Sequence, residues 1–251
     1  MTTKARGRVR VENTQKRVRA QVGGVMIADS TSVKMVWEIP YFPTYYFPAD
    51  DVRLDLLNDS GETKRSPSRG TADLFDVSVG DRTIRAAARV WNDSKLEEIS
   101  GYISFSWDAM DRWFEEDEEV HYHARDPYTR IEILPSSRTV RVEVDGVVVA
   151  ESDKTRFLFE SNLPVRYYFP KPDVRFEYLE ATSTASHCPY KGTARYWSIN
   201  TVGETHHDVA WGYDSTFPES QLVAGFVAFY NEKLDIYVDG VLEEKPKTKF
   251  A

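Results

Sequence analysis

The chain repeats itself, and no other feature of its sequence constrains the fold as strongly. Gly24-Val25-Met26-Ile27-Ala28-Asp29-Ser30 returns as Gly146-Val147-Val148-Val149-Ala150-Glu151-Ser152. Tyr45-Tyr46-Phe47-Pro48 returns as Tyr167-Tyr168-Phe169-Pro170, and Asp51-Val52-Arg53 as Asp173-Val174-Arg175, each 122 residues later. The same offset lays Pro67 on Pro189, Gly70 on Gly192 and Ala72 on Ala194, while Gly101-Tyr102-Ile103-Ser104-Phe105 meets Gly225-Phe226-Val227-Ala228-Phe229 at 124. Collinear matches of this number mean two copies of one unit, with small loop changes between them. We expect a first repeat over residues 10–124 and a second over 128–242, joined near Ala124-Arg125-Asp126-Pro127-Tyr128.

Each unit reads as β-structure. Arg138-Thr139-Val140-Arg141-Val142-Glu143-Val144 alternates apolar and polar residues with period two, and Lys16-Arg17-Val18-Arg19-Ala20-Gln21-Val22 is its first-copy counterpart. Asp145-Gly146 and Gly23-Gly24 then supply hairpin turns. Residues 107–114 are ambiguous alone, but their counterpart 234–241 is strand-like, which predicts a strand in both copies. The one helix candidate per copy is the turn after Pro48 or Pro170, where acidic residues favour a helix start. Six Trp, 14 Tyr and 13 Phe can fill a core even though only 41% of residues are hydrophobic.

Charge and cysteine usage exclude several classes. Cys188 is the single cysteine, so no intrachain disulfide exists. A net charge of −8 argues against nucleic acid as the main partner. The longest apolar run, residues 222–230, is nine residues and too short to span a membrane. The start of the chain lacks the apolar stretch of a secretory signal, so a cytoplasmic protein is expected. Lys4, Arg6, Arg8, Arg10, Lys16, Arg17 and Arg19 read as a basic tail leading into an edge strand. The acidic run Glu115-Glu116-Asp117-Glu118-Glu119 reads as a solvated rim or linker, because it lacks the ligand spacing and glycine of a calcium loop.

The repeated pattern resembles the domain of unknown function 427 family in its tandem, two-copy bacterial form. The resemblance rests on Lys16-Arg17-Val18-Arg19, Val36-Trp37-Glu38, the Tyr-Tyr-Phe-Pro and Asp-Val-Arg segments, and their second-copy equivalents. Above all it rests on Cys188-Pro189-Tyr190-Lys191-Gly192-Thr193-Ala194-Arg195-Tyr196-Trp197, Ala210-Trp211-Gly212-Tyr213 and the strand ending at Tyr230. It implies a mostly β fold of two tandem, homologous, small antiparallel domains, similar to the β-tent type, and carries no general activity with it. A nucleotidyltransferase label has been attached to the family. This chain has neither the Gly-Ser loop with paired acidic metal ligands nor a phosphate-binding P-loop, and it lacks a nucleophile elbow and an H-E-x-x-H motif.

The residues that could carry chemistry concentrate in the second copy. Cys188, Tyr190 and Lys191 place a thiol, a phenol and an ammonium within four positions, beside a Pro and a Gly that fix an irregular backbone. A cation can activate a thiol, and a lysine can form a Schiff base or hold an anion. The alternative is a buried Cys and a surface Lys in a tight turn. The first copy has Arg65-Ser66-Pro67-Ser68-Arg69-Gly70 at these positions, which suggests a scaffold beside a site-bearing repeat. Tyr167, Tyr168, Tyr196, Trp197, Trp211, Tyr213 and Tyr230 are either core or the wall of an apolar pocket with polar tips. Trp211 and Tyr213 share a strand face. A catalytic pairing of Cys188 with His187, His206 or His207 stays open, and so does a His/Cys metal site; a structural zinc built on paired C-x-x-C knuckles does not. His121 and His123 read as exposed or interface residues beside the linker.

These readings lead to one functional expectation. The second repeat binds a small polar or anionic molecule, with Lys191, Tyr190 and Cys188 as the reactive set and Tyr168, Tyr196, Trp197, Trp211, Tyr213 and Tyr230 as the ligand-binding wall. Whether a reaction follows is left open. No cofactor, resident metal, nucleic acid or membrane partner is called for, and the oligomeric state is not readable. The alternative is a non-catalytic interaction or assembly module that uses the same aromatic surface as an interface anchor.

Overall fold

A computed structural model describes residues 9–248, which leaves Lys4, Arg6 and Arg8 of the basic tail outside the described residues. The chain divides into two compact units between Asp126 and Pro127. In the first unit the strands are β1 (Arg10–Asn13), β2 (Val18–Val22), β3 (Val25–Ser30), β4 (Lys34–Trp37), β5 (Thr44–Pro48), β6 (Leu57–Ser66), β7 (Gly70–Val79), β8 (Arg82–Ser94), β9 (Tyr102–Phe105), β10 (Arg112–Glu115) and β11 (Glu118–Val120). The second unit follows with β12 (Ile131–Pro135), β13 (Val140–Val144), β14 (Val147–Ser152), β15 (Arg156–Glu160), β16 (Arg166–Pro170), β17 (Leu179–Cys188), β18 (Gly192–Asn200), β19 (Thr205–Gly212), β20 (Phe226–Phe229), β21 (Asp235–Val238) and β22 (Val241–Leu242).

Each unit is a seven-stranded antiparallel sheet and a four-stranded one. The large sheets run β1-β4-β5-β9-β8-β7-β6 and β12-β15-β16-β20-β19-β18-β17, and the small ones β11-β10-β2-β3 and β22-β21-β13-β14. The orders correspond strand for strand, so the mostly β, two-domain expectation holds. The alternation read from sequence is visible in β2 and β13, whose residues are buried and half-buried in turn. The β2–β3 and β13–β14 hairpins turn through positive φ at Gly23 and Gly24 (56° and 80°) and at Asp145 and Gly146 (51° and 77°). This is the twist that a two-residue hairpin needs.

The two sheets of each unit face each other across an apolar layer. Val18, Ile27, Phe47, Phe105 and Trp113 belong to it in the first unit, and Val140, Val149, Phe169, Phe229 and Ile236 in the second. Backbone bonds tie the layers together: Arg53 N donates to the Ile27 carbonyl at 2.8 Å, and Arg175 N to the Val149 carbonyl at 2.9 Å. Beside each tie the Ser30 hydroxyl donates to Asp51, and that of Ser152 to Asp173, both at 2.6 Å. A second, smaller cluster covers the outer face of each large sheet.

Three local expectations need correction. Residues 107–114 are a 3-10 turn (Trp107–Ala109) followed by strand β10, and only the latter part is the strand expected. The turns after Pro48 and Pro170 are single 3-10 turns, joined by others of that kind elsewhere in each unit. The acidic run is not a solvated rim throughout. β10 alternation turns Glu115 inward, where it is buried and accepts from the Tyr45 hydroxyl at 2.5 Å and from Lys16 at 2.7 Å. Arg17, just before β2, and Arg19, within it, are also engaged, with Asp29 and Asp117 respectively. Arg10 does lie in an edge strand, stacked over Trp37. Among the described residues no helix is long and apolar enough to cross a membrane.

Candidate functional site

The outer face of the second large sheet gathers most of the side chains that the sequence singles out. Alternation along β16, β18 and β19 sends Tyr168, Tyr196 and Trp211 to that face, and Tyr213 continues it past the end of β19. Tyr230 packs on the same cluster. Trp211 lies 4.5 Å from Tyr230 by ring centroids, and its Nε1 donates to the Tyr168 hydroxyl at 3.3 Å. The Tyr196 hydroxyl lies 2.7 Å from Ser186 Oγ. Trp197 is the exception. As the neighbour of Tyr196 on an extended strand it points the other way, into the layer between the sheets, edge-on to Phe176 at 6.2 Å. It is not part of the wall.

The Cys-Pro-Tyr-Lys-Gly motif forms the tight turn between β17 and β18. Gly192 has φ +101°, and a Cβ there would lie 3.3 Å from the Ser215 carbonyl, so a side chain would be strained. A 3-10 turn (Pro218–Val223) clamps the motif, with Ser220 Oγ donating to the Tyr190 carbonyl at 3.2 Å. Cys188 and Tyr190 are half-buried. Lys191 is only 8% exposed, and its Nζ meets Glu160 Oε2 at 2.5 Å. The expectation of a surface lysine is therefore corrected: the turn folds the ammonium inward onto a carboxylate at the end of β15.

That pair is duplicated. In the first unit Arg69 and Glu38 occupy the equivalent positions and pair in the same way, with the Tyr46 hydroxyl donating to Glu38 at 2.6 Å and accepting from Arg69 at 2.9 Å. Tyr168 is the counterpart of Tyr46. Burial, with the Glu160 carboxylate nearby, pushes its hydroxyl far above the ordinary tyrosine value. Tyr213 is raised in the same way, by burial first and then by neighbours that include Tyr168, Cys188 and Glu160. Two inward-facing tyrosines, Tyr168 and Tyr213, thus share this face with the buried Lys191–Glu160 pair.

A second buried pair lies under the Trp211–Tyr230 edge. Arg166, 7% exposed, donates to both carboxylate oxygens of Glu232 at 2.5 and 2.6 Å and also holds Asn231. Its guanidinium sits 5.5 Å from the Trp211 ring centre and 5.6 Å from that of Tyr230. Thr248 Oγ1 donates to Glu232 at 2.5 Å. Burial works against the charge of Glu232, but the bonds from Arg166 and Thr248 outweigh it and hold the carboxyl below its ordinary range.

The histidine alternatives do not assemble. His206 pairs with Asp145 at 2.8 Å, opposite Ile199. Cys188 faces Gly192 at the other end of β18, seven residues and roughly 23 Å away. His207, the next residue on β19, lies at that same far end. His187 turns to the opposite side from Cys188, its Nδ1 3.1 Å from Thr193 Oγ1. His123, read from sequence as an exposed or interface residue, is half-buried and stacks on Phe42 at 4.1 Å.

Sequence reasoning missed Glu160, Arg166, Asn231 and Glu232. For Glu160 a signal existed: an acid recurs at 38 and 160, and a base recurs at 69 and 191, with one and the same offset. For Arg166 there was none, since the first copy has Thr44 there. A family model described as a domain of unknown function (DUF427) matches residues 10–116 and again 132–240. No curated protein matches the chain.

Proposed function

The chain belongs to the DUF427 family, in a two-copy form, and from that premise we propose that its second unit binds a small polar molecule at the outer face of the large sheet. The reading rests on two ion pairs, Lys191–Glu160 and Arg166–Glu232, buried among Tyr168, Tyr196, Trp211, Tyr213 and Tyr230. Apolar residues of similar volume would stabilise a sheet face at least as well as buried ion pairs do. Aromatic side chains with a few convergent polar groups are instead the usual lining of a small-molecule site. Tyr230 packs on this cluster, and Cys188, Tyr190 and Tyr230 are each half-buried, so part of each side chain is open to solvent.

The ligand class follows from the groups available. Lys191 offers an ammonium to an acidic or carbonyl oxygen, Tyr190 and Tyr230 offer hydroxyls, and the rings offer apolar faces to a compact body. Schiff-base chemistry needs a free amine, and Glu160 engages this one. The role supported best is therefore binding and orientation, with Cys188 at the edge of the site.

A panel of small carboxylates, phosphates and polyols, screened against the full chain by ligand-observed NMR, tests this. A true ligand should lose about tenfold in affinity in Lys191→Arg and in Tyr230→Phe, and keep its affinity in Arg69→Lys. Lys191→Arg should fold, because the first unit builds the same pair with Arg69. Ligands that bind both second-unit variants as tightly as the parent would overturn the reading. So would a protein partner that co-purifies through this face.

A further inference from the structure

The first unit has an aromatic groove of its own, on a different part of its surface. Trp107, in the turn before β10, and Trp113, within β10, stack face to face with ring centroids 4.7 Å apart and planes 9° from parallel. Trp113 Nε1 donates to the Trp107 carbonyl at 3.1 Å, which fixes the inner ring. Trp113 is buried and Trp107 half-buried, so the stack presents one indole outward. With Met110 and Val120 these rings line a cavity of about 290 Å³. That is the size of a one-ring ligand and close to the lower end of known small-molecule sites.

The charges at the rim decide what would enter. Asp111 is already occupied, by the Gly23 N–H at 2.7 Å and by Arg82. Glu119 is held more loosely: it ion-pairs with Arg112 Nε at 3.7 Å and lies 3.8 Å from His121 Nδ1, both longer than a hydrogen bond and both on the same rim. Asp108 stands exposed on the same rim. Carboxylates beside an indole face favour a cation, through Coulomb attraction and the ring quadrupole together.

The fold does not require this arrangement. At the register position of Trp113 the second unit has Ile236: Ala20 pairs with Trp113, and its counterpart Val142 pairs with Ile236. The counterpart of Trp107 is Asn231, used there to hold Arg166. One backbone therefore folds with and without the paired indoles.

We propose that this groove in the first unit binds a small organic cation, an ammonium or amidinium on a flat apolar body. The ammonium would sit against Glu119 and the body against Trp107. This site is separate from the one proposed in the second unit. Benzylammonium, benzyl alcohol and benzoate, titrated into the full chain by calorimetry and ligand-observed NMR, distinguish the possibilities. Benzylammonium should bind saturably and the other two more weakly by at least about fivefold. Glu119→Gln should remove most of that preference without changing the melting temperature, and Trp107→Leu should weaken all three. Lys191→Arg should change nothing, so this test can fail independently of the second-unit reading. Equal binding of the three compounds would overturn the proposal, as would unchanged benzylammonium binding in a folded Glu119→Gln protein.

Discussion

Position for position, the two units carry different side chains on the outer faces of their large sheets. Where the first has Leu74, Arg89, Trp91 and Ser106, the second has Tyr196, Trp211, Tyr213 and Tyr230. Arg89 donates to Ser106 at 3.0 Å, and in the second unit that polar contact has become the Trp211–Tyr230 ring contact at 4.5 Å. Thr44 has become Arg166, which brings Glu232 and Asn231 inside with it. What stays is the base–acid pair beside an inward-facing tyrosine: Arg69–Glu38 with Tyr46, and Lys191–Glu160 with Tyr168. The shared pair is thus part of the common framework, and the aromatic cluster with the second ion pair belongs to the second unit. The first unit diverged elsewhere, at Trp107 and Trp113.

The largest test of this division is the second ion pair. Arg166→Met leaves Glu232 buried without its cation, though still bonded to Thr248, and should cost about 3 kcal/mol. Hydrogen-exchange mass spectrometry should locate the lost protection in residues 127–248 and leave 9–126 unchanged. Replacing both partners, as Arg166→Met with Glu232→Leu, should recover most of the loss. A double variant no more stable than the single one would mean that the cluster contributes through its hydrogen bonds to Asn231 and Thr248 instead.

The retained pair should show a smaller and symmetric effect. Lys191→Met and Arg69→Met should each destabilise their own unit by about 2 kcal/mol, whereas Lys191→Arg and Arg69→Lys should stay within about 1 kcal/mol of the parent. Urea unfolding of the four variants decides it. A large cost in one unit only would break the equivalence drawn between them.

The smallest expected effect is in the pH dependence. Because the folded protein holds the Glu232 carboxyl below its ordinary value, its ionised form contributes stability above the ordinary glutamate range. That contribution is lost as pH falls through the lowered folded value. The stability difference between the parent and Glu232→Gln should therefore be full near neutrality and shrink between about pH 5 and pH 3. A difference independent of pH over that window would assign the loss to packing.

Much of the fold was legible because a duplicated sequence is read twice. The period-two pattern of β2 is marginal alone, but with the same pattern in β13 it specifies a strand. Gly23-Gly24 and Asp145-Gly146 likewise specify the same turn from different residues. The pairing of Trp211 with Tyr213 on one face also followed from alternation. Residues 107–114 were harder, because the turn at Trp107–Ala109 and the strand at Arg112–Glu115 adjoin without a Pro or Gly between them.

The sequence by itself determined the number of units, their β character and the segments on which the site residues lie. Only the tertiary structure decided which of those residues meet. Alternation states that Tyr196 and Trp197 face opposite ways but not which layer each faces, because both sides of the large sheet are apolar and covered. The carboxylate that neutralises Lys191 lies 31 residues away, and the one that neutralises Arg166 lies 66 away. A buried charge must find a partner, but chain separation does not reveal which one, since strand order rather than sequence order brings the two together.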